Sequence, residues 1–196
     1  ASSMHLYIWA PGGSSSFQMG GAIQGTKLSL STAVTTLAGS DNGSTDATGT
    51  SSSFTEPYGI TTDGTNLYVS DSGNHRIRKI VIDNGTVTTL AGSSEGSTDA
   101  TGTSASFTEP WGITTDGTNL YVVDRGNHRI RKIVIDNGTV TTLAGSSEGS
   151  TDATGTSATF YRPMGITTDG TNLYVSDRGN HRIRKIVIST GVVTTL

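Results

Sequence analysis

A 53-residue segment that occurs three times constrains this chain more than any other feature. The segment begins at Phe54, again at Phe107 and, in truncated form, at Phe160, and its first two copies differ at only four positions. A fixed period of this length is typical of propellers and solenoids, in which each unit packs against its neighbours. We therefore expect one structural module, repeated over residues 54-106, 107-159 and 160-196.

Turn-forming residues divide each module into four strands. In the first copy, Asp-Gly-Thr-Asn at 63–66 and Asp-Ser-Gly-Asn at 71–74 predict two turns. Asn84-Gly85 predicts a tight hairpin in which both residues favour positive φ. The strands then cover residues 60–62, 67–70, 76–83 and 86–90, and no helix is predicted. Residues 91–106 contain almost no apolar side chains, which predicts a surface connection to the next module.

The repeated motifs resemble those of a known family. Asn-Leu-Tyr-Val-Ser-Asp at 66–71, Gly-Asn-His-Arg-Ile-Arg-Lys-Ile at 73–80 and Val-Thr-Thr-Leu-Ala-Gly at 87–92 are similar to the NHL repeat. The resemblance covers residues 54–196 closely and residues 27–53 in part, and it implies a β-propeller, which in this family usually has six blades. Such scaffolds carry lyases, lactonase-like enzymes, RNA-binding domains and interaction domains, so the resemblance implies a fold rather than one function.

The N-terminal residues depart from the repeat. Residues 6–9 resemble the second strand of a module, but residues 11–21 have no counterpart later in the chain. Residues 27–37 match residues 185–196 with one deletion, which places Leu37, Leu90, Leu143 and Leu196 at intervals of 53 residues. We therefore divide the chain into a divergent N-terminal segment or partial blade, 1-33, and a repeat array, 34-196.

These features predict an all-β fold of β-propeller-type blades with four antiparallel strands each. We expect three full blades and a degenerate N-terminal blade. Propellers typically close with about four to eight blades, so this number predicts an open arc that other chains complete or extend. A closed four-bladed monomer is the alternative.

Composition narrows the classes of partner. A net charge of -3 argues against the clustered positive surface that nucleic acids require. No apolar run is long enough to span a membrane, and the absence of cysteine excludes disulfides and thiolate metal sites. The chain begins with Ala1, which agrees with export, and we expect an extracellular or cell-surface protein.

A set of Asp, His and Arg residues recurs at fixed positions in the modules. The Asp and His residues could form a ring of metal ligands or acid–base groups around a channel. Their presence in every module favours a structural role instead, because polar groups inside packed sheets need hydrogen-bond partners. We therefore expect no metal and no cofactor. The residues are Asp71, His75, Arg76, Asp124, His128, Arg129, Asp177, His181 and Arg182.

Positions that differ between modules are candidates for recognition. Between the Pro and Gly of the modules stand Tyr58, Trp111 and Met164, and the third module also carries Tyr161 and Arg162 in place of Thr-Glu. If these positions face the mouth of a central channel, they form a recognition surface. Neutral variation among packing residues is the alternative.

Three Asn-Gly-Ser/Thr sequences are N-glycosylation sequons. They begin at Asn42, Asn84 and Asn137, and an exported protein from a glycosylating organism would carry sugar there. Asn-Gly also favours tight turns, which explains Asn84 and Asn137 without any sugar.

Two classes of function remain. The first is a non-enzymatic extracellular scaffold that assembles with itself into a ring or filament, with glycans as further partners. The second is a ligand-binding or lyase/lactonase-like propeller with a site at the channel mouth. Near-identical modules favour the first, because a catalytic site needs residues that break the symmetry. An unclosed array exposes apolar residues such as Ile77, Ile80 and Ile82 at its ends, and Trp9 and Phe17 are the expected anchors of self-association.

Overall fold

Three four-stranded sheets follow one another along the chain. The computed structural model describes residues 33–196, of which residues 35–196 form one compact unit. All three sheets are antiparallel, which confirms the expected all-β fold of propeller-type blades. We call the sheets blades 1 to 3. A short parallel pair, β1 and β2, precedes them, and the strands are β1 (Asp41–Asn42), β2 (Ser53–Phe54), β3 (Pro57–Thr62), β4 (Asn66–Asp71), β5 (Arg76–Val81), β6 (Val87–Ala91), β7 (Pro110–Thr115), β8 (Asn119–Asp124), β9 (Arg129–Val134), β10 (Val140–Ala144), β11 (Ile166–Thr168), β12 (Asn172–Asp177), β13 (Arg182–Val187) and β14 (Val193–Thr195).

Each blade is a meander with two apolar faces. In blade 1, Leu67 pairs with Ile80, and the next residue, Tyr68, pairs with Lys79 on the opposite face. Because side chains alternate along a strand, both faces of the sheet present large residues to a neighbour. We call the face turned towards the preceding blade the leading face, and the opposite one the trailing face.

The core of the protein lies in the junctions between blades. Tyr68 and Ile77, on the trailing face of blade 1, share one buried cluster with Leu120 and Val122, on the leading face of blade 2. Blades 2 and 3 form an equivalent cluster. The first strand of blade 2, β7, contacts both β3 and β11, and these three are the inner strands of the array. Each blade is therefore stabilised mainly by its neighbours.

The loop between the third and fourth strands differs from the predicted hairpin. β5 ends at Val81, β6 begins at Val87, and within this loop only Gly85 has a positive φ, +69°. The side-chain oxygen of Asn84 accepts a hydrogen bond from the N–H of Thr86 at 2.9 Å, which fixes the turn. The prediction of two positive-φ residues is therefore wrong, because the side chain of Asn84 and the φ of Gly85 are sufficient to close this longer loop.

The connections between blades are ordered segments that pack on the following blade. Ala105 is buried, although residues 93–95 are exposed as the prediction of a surface connection required. The carbonyl oxygen of Ala100 accepts a hydrogen bond from the N–H of Val140 at 2.8 Å, and the N–H of Gly102 donates to the carbonyl oxygen of Gly138 at 2.9 Å. The prediction of a surface connection is thus incomplete. The residues of the connection are small, so its backbone can form hydrogen bonds with the start of the outer strand β10 and the loop before it.

The start of the described chain is not a further blade strand. Residues 33–40 contain no strand, although the match of residues 27–37 to residues 185–196 predicted part of a degenerate blade here. A fourth strand in a blade pairs with the third strand of that blade, and residues 33–196 contain no such partner for residues 33–37. The predicted strand at residues 6–9, with Trp9 and Phe17, lies outside the described residues. Within residues 33–196, no helix is long and apolar enough to cross a membrane.

Candidate functional site

Three variable positions come together at one end of the inner strands. The rings of Tyr58 and Trp111 stack, with centroids 4.2 Å apart and planes inclined by 15°. With Met164, and with the glycine that follows each of the three residues, they line an open cavity of about 270 Å³. Tyr58 is 56% exposed, so its ring is presented to solvent. We call these three residues the central row.

Glycine allows the inner strands to approach closely enough to form the central row. The N–H of Gly112 donates to the carbonyl oxygen of Met164 at 3.0 Å. A Cβ atom on Gly112 would lie 2.4 Å from that same oxygen, and a Cβ on Gly59 would lie 2.2 Å from the carbonyl oxygen of Trp111. Any larger residue at these two positions would push the inner strands apart.

The charge beside the central row changes from blade to blade. In blade 2, the Arg125 guanidinium lies 4.5 Å from the centre of the Trp111 ring and forms an ion pair with Glu109. This pair is neutral, whereas the equivalent pair is negative in blade 1 and doubly positive in blade 3. The equivalent residues are Glu56 and Ser72 in blade 1, and Arg162 and Arg178 in blade 3.

Tyr161 and Arg162 lie at the junction of blades 2 and 3 rather than in the central row. The Tyr161 ring is 5.9 Å from the ring of His128, and the Arg162 guanidinium is 5.9 Å from the centre of the Tyr161 ring. The five residues predicted as one recognition surface are therefore divided between two places, with Tyr58, Trp111 and Met164 in one and Tyr161 and Arg162 in the other.

The repeated histidines connect neighbouring blades. Each follows a short 3-10 turn and has a left-handed backbone conformation, with φ between 55° and 57°. Nδ1 of His75 accepts a hydrogen bond from the N–H of Glu109 at 3.3 Å, and Nδ1 of His128 accepts one from the N–H of Arg162 at 3.1 Å. Burial lowers the pKa of His128, which favours the neutral ring that this hydrogen bond needs.

The repeated aspartates bind buried arginines. Arg131 is fully buried, and its Nη1 donates to Asp124 at 2.6 Å while its Nη2 donates to Asp99 at 2.7 Å. Asp124 also accepts a hydrogen bond from the N–H of Thr108 at 2.8 Å. Burial raises the pKa of Asp124, and the charge of Arg131 opposes this effect. Blades 1 and 3 repeat the cluster with Arg78, Asp71, Asp46, Arg184, Asp177 and Asp152.

Sequence reasoning did not identify these buried arginines. Arg78 is two residues from Arg76 in β5, so alternation along the strand puts both side chains on the same face. Arg76 does lie near the surface, where its Nη1 donates to the carbonyl oxygen of Ser44 at 3.3 Å. Arg129 and Arg182 make the same contact with Ser97 and Ser150. The signal for the buried residue was an Asp that precedes it by 32 residues in every copy.

The aspartates and histidines do not converge on a common point. Asp124 faces Arg131, whereas His128 faces the backbone of the next blade. Over residues 33–196 there is no group of three or more His, Cys, Asp or Glu side chains placed to hold a metal ion. The geometry of this part of the chain therefore gives these residues structural contacts.

The three sequon asparagines are exposed. The side-chain oxygen of Asn137 accepts a hydrogen bond from the N–H of Thr139 at 3.0 Å, as that of Asn84 does in blade 1. The side-chain oxygen of Asn42 accepts a hydrogen bond from the hydroxyl of Thr55 at 2.6 Å.

The two outer faces of the array are apolar and exposed. Ile77 and Ile130 are fully buried on the trailing faces of blades 1 and 2, whereas the equivalent Ile183 of blade 3 is 51% exposed. On the leading faces, Ile113 of blade 2 is 6% exposed and the equivalent Ile60 of blade 1 is 60% exposed. The leading face of blade 1 also has an open cavity of about 400 Å³, lined in part by Leu37, Ile60, Leu67, Val69 and Ile80.

Comparison with known proteins identifies the repeat. The family model of the NHL repeat matches residues 107–133, which span β7, β8 and most of β9 in blade 2. Human NHL repeat-containing protein 2 is 33% identical over 144 residues, covering 66% of this chain and 20% of that protein. The Arabidopsis thaliana protein SUPPRESSOR OF QUENCHING 1, chloroplastic, is 32% identical over 165 residues, covering 76% of this chain and 15% of that protein.

The fold has a counterpart among solved structures. A structural genomics protein of unknown function from Bacteroides thetaiotaomicron is 29% identical, with a TM-score of 0.59 over 70% of this chain and 35% of that chain. The part of each curated relative that this chain matches is about a fifth, or less, of the length of that relative.

Proposed function

We propose that this chain, in which the NHL-repeat family model matches residues 107–133, is a non-enzymatic scaffold that assembles with further copies of itself. One observation carries the proposal: the two exposed outer faces are the two halves of a junction that the chain already forms twice. Ile183 has the position that Ile77 and Ile130 hold on a trailing face, and Ile60 has the position that Ile113 holds on a leading face.

The apolar content of these faces supports association. A large aliphatic side chain contributes roughly 1.5–3 kcal/mol when it passes from exposed to buried. Ile60 and Ile183 are both more than half exposed, and Ile82 is 38% exposed on the same leading face as Ile60. Repeat arrays need covered ends to remain soluble, because an uncovered face is an open binding surface.

The segment around Leu37 occupies a position on the leading side of blade 1 that an incoming copy would need. The carbonyl oxygen of Leu37 would lie 2.7 Å from a Cβ on Gly85, and that of Leu90 would lie 2.9 Å from a Cβ on Gly138. Leu37 thus takes the position of the end of a preceding outer strand. An incoming copy would bring Leu196 to this position, so assembly displaces Leu37, which is 41% exposed.

The mass of the protein in solution tests the proposal. We expect sedimentation equilibrium to give a mass of twice the 20.2 kDa chain or more, which falls as the protein is diluted. Ile183→Asp places a charge in the new junction and should convert the protein to monomers. Thr194→Asp adds the same charge at an exposed position of blade 3, and assembly should be unchanged.

A wild-type protein that remains a monomer at all concentrations would overturn the proposal. Residues 1–32, or a further blade of a longer chain, would then be the occupants of these faces. Unfolding of Ile183→Asp, measured by circular dichroism, would show that its loss of assembly is uninformative, and Ile60→Asp on the opposite face is the replacement variant.

The central row supports a second candidate function, the binding of a small ligand at the channel mouth. The specific observation is the solvent-exposed stack of Tyr58 and Trp111, with Arg125 beside it. Stacked aromatic rings offer a flat apolar surface next to a charge, which suits planar or sugar-like molecules. Screening such compounds by the change in Trp111 fluorescence, with Trp111→Leu as the control, tests this candidate.

A further inference from the structure

The polar contacts at each junction follow one pattern. Nδ1 of a histidine on the trailing side accepts the N–H of a residue with positive φ on the leading side of the next blade, Glu109 or Arg162. This contact occurs at both internal junctions. It is specific for orientation, because the acceptor is always on the trailing side and the donor always on the leading side.

The two outer faces hold the unused halves of this contact. Glu56, on the leading side of blade 1, has the same left-handed conformation as Glu109, with φ of 50° for both. Within residues 33–196, its N–H donates no hydrogen bond, and the His181 ring on the trailing side of blade 3 accepts none. His181 and Glu56 thus have the backbone conformations that this contact requires, but in this chain neither faces a blade that carries its partner.

The charged residues beside this contact favour some pairs of blades over others. At the junction of blades 2 and 3, the carbonyl oxygen of Arg125 accepts the N–H of His128, and the N–H of Arg162 donates to the His128 ring, so two residues of like charge adjoin one histidine. The equivalent residues at a new junction are Arg178 from blade 3 and Glu56 from blade 1, which carry opposite charges. Opposite charges at a rim favour the correct partner and orientation, and they speed association.

We propose that Glu56 of one copy docks between His181 and Arg178 of a second copy, so that blade 3 joins blade 1 head to tail. The His181 ring accepts the N–H of Glu56, and the Arg178 guanidinium binds the Glu56 carboxylate. This inference rests on the proposed self-assembly and adds the residues that choose the partner: another copy of the same chain in the same direction.

A charge-swap experiment tests the pairing. Arg178→Glu and Glu56→Arg, made separately, should each weaken assembly about tenfold, because each places like charges at the junction. The double variant with both substitutions in one chain should recover the wild-type affinity. Raising the salt concentration from about 0.05 M to about 0.5 M should weaken the wild type more than Glu56→Gln.

A matched control comes from blade 2. Glu109→Arg makes the same charge change at an internal junction, and blade 3 already tolerates Arg at this position as Arg162. Assembly of this variant should equal that of the wild type.

The outcomes separate this inference from the one on which it rests. A wild type that is always monomeric overturns both. A wild type that assembles, that loses assembly with Ile183→Asp, and that is indifferent to Arg178→Glu and Glu56→Arg overturns the pairing alone. Recovery in the double variant supports both.

Discussion

Ser70 shows how one side chain separates otherwise equivalent blades. Its Oγ is buried and has no hydrogen-bond partner, whereas Val123, at the same position in blade 2, packs in a buried apolar cluster. A buried hydroxyl without a partner retains the cost of its lost hydration. The chain therefore carries a local weakness in blade 1 that blade 2 lacks.

We expect Ser70→Val to raise the free energy of unfolding by about 1 kcal/mol, since it removes this cost and adds apolar contacts. Urea denaturation gives the measurement. The reverse change, Val123→Ser, should lower the free energy of unfolding by about 1–3 kcal/mol. A loss of stability in Ser70→Val would mean that the hydroxyl has a partner in solution.

His128 carries a second prediction at this scale. His128→Ala should lower the free energy of unfolding by about 1–3 kcal/mol, because the N–H of Arg162 loses its acceptor. Bound zinc, measured by mass spectrometry of the native protein, should be absent before and after the change. Stoichiometric zinc that disappears in the variant would assign His128 to a metal site.

The pH dependence of His128 follows from its lowered pKa. The unfolded chain binds a proton near pH 6.5 and the folded chain only at lower pH. The contribution of His128 to stability is therefore complete above about pH 6.5 and declines as the pH falls below this value.

A repeated residue indicates a role in every blade, but the sequence does not show which distant segment it contacts. A histidine in every module indicated a structural role, and the geometry gives His75 and His128 structural hydrogen bonds. Arg78 was harder to predict, because alternation along β5 cannot show that a connection 32 residues earlier covers it with Asp46. When a distant segment buries a side chain, the local sequence shows no hydrophobic periodicity from which the burial could be predicted.

At the scale of elements, the hairpin between the first two strands has its own stabilising group. Burial opposes the ionisation of Asp116, but hydrogen bonds from the N–H of Asn119, from Tyr121 and from Thr118 outweigh it and lower the pKa of Asp116. Asp63 and Asp169 make the same contacts, and their pKa values are also held well below the usual range.

We expect the melting temperature to fall as the pH drops below about 4. The folded-state pKa of these carboxylates is lower than the unfolded value, so their contribution is complete above about pH 4 and is lost as protons bind at lower pH. Scanning calorimetry between about pH 2 and pH 7 gives the profile. Asp116→Asn should melt earlier at pH 7 and lose less on acidification, and an unchanged slope would contradict the assignment.

The strands were more predictable than the connections. Asp-Gly and Gly-Asn turns determine where β4 and β5 begin, so their positions agree with the sequence pattern to within one or two residues. The connection at residues 91–106 has no hydrophobic period, because backbone hydrogen bonds to the outer strand hold it. A sequence of small polar residues is compatible both with an exposed loop and with a segment whose backbone packs against a strand.

At the scale of the whole molecule, the exposed sequons provide a test of the proposal that the protein is exported. Protein secreted from a glycosylating host should have an intact mass above the polypeptide mass by one or more sugar chains on Asn42, Asn84 or Asn137. Exposed Asn-Gly-Ser/Thr sequences are acceptors for that machinery. Changing each Asn to Gln should remove the extra mass stepwise, and a mass equal to the bare chain would remove the proposal.

The three full blades within residues 33–196 were predictable because the repeat is nearly exact, whereas the function was not. Identical sequences build identical junctions, and only a few positions, such as Trp111 and Arg178, distinguish one blade from another. The role that we propose for Arg178 depends on a neighbouring copy, so a pattern within one chain cannot reveal it.

The connections have a consequence for folding. Asp46, Asp99 and Asp152 each hold the buried arginine of the blade that follows them, and they do so with the same contacts. A connection that fits its own blade fits the others equally well, so a folding chain can form stable but wrongly paired intermediates, within one molecule or between two. Refolding should therefore slow as protein concentration rises, and escape from these traps requires the release of a buried arginine from its two carboxylates.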